Sequence, residues 1–188
     1  MSTTSQAFGL RPAYNPSGIV RPVAMTIASG YSSNILQFQP VMINTDGTII
    51  KAVGTAGNSF IGTFMGVEFT DTDGRRRVSN KWTGGTSASD IVAYVTSDPT
   101  IVYEIQSNAT VTVSNIGEQA DFASVTAGST TTGLSAAMLD ASSLATSGSK
   151  NLRVVNIGNE ISNGATDPYV IVQVQISEHQ FVANKAAF

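Results

Sequence analysis

Cysteine is absent from this chain. That absence removes disulfides, thiolate nucleophiles and sulfur-ligated zinc together, leaves the redox compartment open, and makes packing the source of stability. Charge is scarce as well: Asp, Glu, Lys and Arg make up 12% of the residues, against about 25% in an ordinary globular protein. The balance is slightly acidic, with a net charge of −3, so no extended positive field draws in phosphates and the composition argues against a nucleic-acid partner. Long apolar runs are missing too. The longest fall far short of the ~20 residues that cross a bilayer, so no membrane partner is expected. Between Met1 and Gly9 the only large apolar side chain is Phe8 and no cationic stretch precedes it, which predicts no signal peptide and a chain made in the cytoplasm of its host.

What is present is a chain of 188 residues with an ordinary hydrophobic fraction of 41%, long enough for one domain that buries roughly 70% of its unfolded surface. A surface this poor in charge either is hidden in an assembly or stays in solution through Ser, Thr, Asn and Gln. Depletion of Lys and Glu is also what the centre of a protein interface shows, which favours assembly.

The segment Phe8–Pro22 carries Pro12, Pro16 and Pro22; proline removes backbone donors and biases the preceding residue to extended conformations. It reads as an extended N-terminal arm over residues 1–22, ahead of a β-rich body over 23–188. Phe8, Leu10, Tyr14, Ile19 and Val20 are too apolar to be left in water, so the arm is expected to dock on its own body or on a neighbour.

Beyond the arm the signals are those of strands. Val41–Asn44 and Thr48–Val53 flank Asp46-Gly47, a dipeptide that tolerates the positive φ of a hairpin turn. Phe60–Phe69 is aromatic and β-branched, with glycines that predict a bulge and a curved strand. Ile91–Val95 and Ile101–Ile105, separated by Ser97-Asp98-Pro99, read as neighbouring strands. Thr110–Val113 and Leu152–Ile157 alternate, and Tyr169–Ile176 puts Val170, Val172, Val174 and Ile176 on one face. With hardly any helical periodicity, the pattern predicts an all-β fold, a β-barrel or β-sandwich. In Ala123–Lys150, twelve of 28 residues are Ser or Thr, which reads as a surface excursion with at most a short helix, the candidate being Leu134–Ala145 with Ser135 as cap.

No catalytic chemistry stands out. His179 is the only histidine; it follows a strong strand and reads as a surface or interface residue. No nucleophile elbow, phosphate loop or His-rich metal motif accompanies it, so an enzyme is not expected, nor a cofactor or metal. Asp71-Thr72-Asp73-Gly74 begins like a calcium loop, yet Arg75, Arg76 and Arg77 follow and the later glutamate is missing, so a hairpin turn whose acids pair with the arginines is the better reading. Those arginines, with Trp82 close behind, are the residue types that dominate interface hot spots, and they are read as a docking patch. The candidate interface residues are Phe8, Leu10, Arg11, Tyr14, Arg21, Arg75, Arg76, Arg77 and Trp82.

Several stretches taken together have a familiar order: Ala7–Gly18, Gly66–Asp71 with Gly74–Trp82, Asp98–Gln106, Ile116–Phe122, Gly128–Ser135 and the final strand through Phe181. In this pattern, which spans most of the chain, the sequence resembles the capsid decoration, or cement, proteins of tailed bacteriophages, particularly short-tailed ones that infect aquatic bacteria. The resemblance implies a virion protein on the outer surface of the capsid, assembled as a homo-oligomer, most often a trimer. Its partner would be the major capsid protein shell, with neighbouring capsomers fastened against internal DNA pressure. It transfers no catalytic residue. Two other classes fit the residues: a receptor-binding or adhesin module at a tail or cell surface, and a glycan hydrolase, for which Asp90 and Glu104 are the carboxylates to inspect.

Overall fold

The computed structural model describes residues 2–53, 58–158 and 161–182. It is all-β: fifteen strands, two 3-10 turns and no α-helix among the described residues. In chain order the first eight strands are β1 (Arg11–Tyr14), β2 (Val23–Met25), β3 (Pro40–Ile43), β4 (Ile49–Lys51), β5 (Gly62–Asp71), β6 (Arg76–Ser79), β7 (Ala88–Thr96) and β8 (Val102–Gln106). Then come β9 (Gln119–Ala120), β10 (Phe122–Ala123), β11 (Gly128–Ser129), β12 (Leu134–Ser135), β13 (Met138–Leu139), β14 (Leu152–Ile157) and β15 (Ile171–Ile176). One antiparallel sheet runs β2-β7-β5-β3-β4, with β6 sharing an edge of β5 with β3; the other runs β1-β8-β15-β14-β9. Two small ribbons, β10-β13 and β11-β12, complete the fold. None of these sheets closes into a barrel.

Local chemistry explains several elements. Gly47 sits at φ 81° and the Thr48 N–H donates to Asp46 Oδ1, so the Asp-Gly turn joins β3 to β4 as expected. In β15 the alternation is literal: Val172, Val174 and Ile176 are buried and Gln173 and Gln175 lie between them, partly exposed. Gly66 of β5 acts as predicted: against β7 the register slips between Phe64 and Gly66, with the extra residue in β5. A second bend, between Glu68 and Thr70, involves no glycine and has its extra residue in β7, where Asp90 lies.

Buried side chains form two clusters. One gathers Phe60, Ile101, Tyr103, Ile105, Leu139, Leu152 and the inner face of β15; the other gathers Ile35, Val41, Ile49, Ile61, Phe64, Val67, Trp82 and Val95. The arm feeds the first. Leu10 is fully buried there, its N–H bonded to the Phe38 carbonyl, and β1 pairs with β8.

Four expectations need correction. β7 and β8 are not neighbours: they belong to different sheets, because Asp98 accepts from the Thr100 N–H and hydroxyl and from Asn15, a turn that carries the chain across. Thr110–Val113 forms no strand; Thr112 and Asn115 cap each other around a 3-10 turn at Val113–Asn115, where local side-chain bonds outcompete a ladder. Leu134–Ala145 holds two short strands and a 3-10 turn at Ala141–Ser143, capped by Asp140 and not by Ser135. The surrounding excursion also contributes buried Val125, Ser135, Ala137 and Leu139. Lastly, His179 is buried, bridged to Phe60 and accepting the Phe181 N–H at Nδ1.

Candidate functional site

Two segments singled out by sequence, the end of the arm and the arginine run, meet on the outer face of the six-stranded sheet. Between them lies a groove of about 390 Å³ lined by Pro22, Met65, Gly66, Val67, Val78, Ser79, Asn80 and Tyr94. Its floor is apolar. Val78 is the most prominent apolar residue there, 81% exposed on β6, a strand that among the described residues pairs with β5 alone.

Ion pairs hold the rim in place. Tyr94 donates its hydroxyl proton to Glu68 Oε1 at 2.7 Å, and Arg76 Nη2 lies 3.3 Å from the same oxygen. The Tyr94 hydrogen bond first, then Arg76, keeps the Glu68 carboxyl below the usual glutamate range, while the carboxylate and desolvation push the Tyr94 hydroxyl up. Arg76 also donates to the carbonyl of Asp90, a residue at φ 48° within the second bend of β5 against β7. Arg77 reaches Asp71 at 3.0 Å and Asp73 at 3.7 Å across the hairpin turn. The acids of the calcium-like sequence are thus engaged by arginine, and no group of three or more potential metal ligands occurs among the described residues.

Arg75 and Arg21 are different. Both are exposed, and neither has an anionic partner among the described residues. The carboxylates of Glu68, Asp71 and Asp73, by contrast, are all taken. Arg75 and Arg21 thus keep their guanidinium donors open to solvent, although Arg75, Arg76 and Arg77 together are matched in number by Glu68, Asp71 and Asp73.

The remaining candidates divide into structural and surface roles. Leu10 and Trp82, read as interface anchors, are both 0% exposed. The Trp82 ring packs edge-on against Phe69 at 5.6 Å and its Nε1–H donates to the Tyr31 carbonyl, so it is a core side chain and cannot be a contact point. Arg11 lies 4.6 Å over the Phe8 ring and bonds Glu104 at 2.6 Å, which fastens the arm to β8. Tyr14, in contrast, is 45% exposed, as is its neighbour in the arm Ile19 at 66%. Asp90 and Glu104 lie on strands of different sheets, and Glu104 is already neutralised by Arg11. Sequence reasoning missed Met65 and Tyr94; the only signal for them was alternation within strands already identified.

Searches against protein-family models, curated proteins and solved structures find no match.

Proposed function

We propose that this chain is a capsid decoration protein of a tailed bacteriophage, bound to the outer surface of the major capsid protein shell and fastening neighbouring capsomers. In this reading the two main sheets are the layers of a sandwich-like body, residues 1–22 are an arm laid along it, and the assembled form is a homotrimer. The observation that carries it is the groove where Pro22, Val78 and Tyr94 meet. An apolar floor beside an open strand edge, on a chain with so little charge, suits adhesion to another protein surface. The exposed apolar residues of the arm, Tyr14 and Ile19, extend the same adhesive character. No catalytic step and no cofactor enters this reading.

Copy number tests it. Quantitative mass spectrometry of purified virions should return this chain in proportion to the capsomers. A number matching the symmetry of a tail would overturn the reading in favour of a receptor-binding module.

A further inference from the structure

We propose that the free edge of β6 takes up an extended, acidic segment of its partner as an added strand, with an apolar side chain of that segment seated in the groove. This rests on the decoration reading only for the source of the segment, the major capsid protein. Three observations on the edge itself support it.

The first is the ladder. The Asp71 N–H bonds the Arg75 carbonyl at 2.9 Å, and the register continues as Phe69↔Arg77 and Val67↔Ser79. Those pairs are the hydrogen-bonded ones, so by alternation the N–H and C=O groups of Arg76 and Val78 face away from β5. Among the described residues β6 pairs with β5 alone. An open row of donors and acceptors is what an incoming strand needs.

The second is the groove, which begins at Val78 on that edge and continues over Met65 to Tyr94 and Pro22. Backbone pairing alone carries little specificity; a pocket for alternate side chains supplies it.

The third is charge. Arg75, next to the edge, is exposed and lacks an anionic partner among the described residues, so a carboxylate of the added strand completes it.

The full-length protein is to be titrated with the blocked peptide Thr-Asp-Val-Asp-Val-Thr and with its counterpart carrying Lys for Asp. Shifts and hydrogen exchange are followed at each backbone amide. The expected result is slowed exchange at the Arg76 and Val78 amides with the acidic peptide, and binding about tenfold weaker for the basic one. Val78→Pro removes an N–H that faces away from β5, so it should abolish binding while the melting temperature holds. Arg75→Glu, which breaks no ion pair, should reverse the preference between the two peptides. No binding, equal binding of both, or shifts centred elsewhere would overturn the proposal. Protection of those amides in the peptide-free protein that grows with its concentration would overturn it in favour of a second copy. Peptide binding as expected, combined with a tail-like copy number in virions, would sink the decoration reading and leave this one standing.

Discussion

Gly62 stands where β5 leaves β3 and passes closest to β7. Its φ is 150°, and a Cβ built there would lie 1.5 Å from the Thr96 carbonyl oxygen, a separation that only movement of backbone could relieve. Gly62→Ala should therefore destabilise the fold by about 3 kcal/mol or more, read by chemical denaturation. Glu68 makes a prediction in pH. Its folded carboxyl is held below the unfolded value by Tyr94 and Arg76, so its contribution is complete above the ordinary glutamate range and fades as pH falls through the folded value. Tyr94→Phe removes the larger cause. A carbon-detected titration of Glu68 should then move up toward the ordinary value, and an unchanged titration would show that Arg76 alone sets it. At this scale the sequence was a poor guide to burial. Trp82 and Leu10 have the composition of anchors, and His179 that of a surface residue; all three lie outside the strands, so no alternation marks their burial, which depends on what distant segments bring against them.

Elements formed by neighbours in sequence were legible, and those formed by distant segments were not. The Asp46-Gly47 hairpin, the bulged β5 and the alternating β15 each carry their own chemistry, so propensity and pattern sufficed. The placement of β7 and β8 in different sheets turns on Asp98 bonding Asn15 from the arm, a contact across 83 positions that no local window contains. The arm shows the same division. Its apolar residues are of two kinds: Leu10, locked into the body, and Tyr14 and Ile19, left outside. Leu10→Ala should cost about 2–5 kcal/mol in denaturation, a loss of fold and not of a contact. Tyr14→Ser combined with Ile19→Ser should leave the melting temperature within a degree or two, since exposed substitutions change stability little. On the decoration reading the pair should lower occupancy on shells, counted by mass; undiminished occupancy would remove the arm from the interface.

The two buried clusters raise the question of whether this molecule unfolds in one step or two. Connectivity argues for one. Phe60 belongs to the first cluster and Ile61 to the second; β3 and β4 serve the second, yet Ala52, just past β4, sits in the first. Ile61 also donates to the Val41 carbonyl while Phe60 donates to that of Glu178, so two consecutive residues tie the two clusters through main-chain bonds. Releasing either cluster thus frays the strands that enclose the other. Phe64→Ala in one cluster and Val174→Ala in the other should lower the same calorimetric transition, by about 3–5 and about 2–3 kcal/mol respectively, with no second peak emerging. Sequence-distant pairing on this scale, Arg11 with Glu104 and Val172 with Ile105, should also make that single transition slow to reform, in milliseconds to seconds. Two resolved peaks, each answering to only one of the substitutions, would mean that the clusters are separate folding units joined by β5.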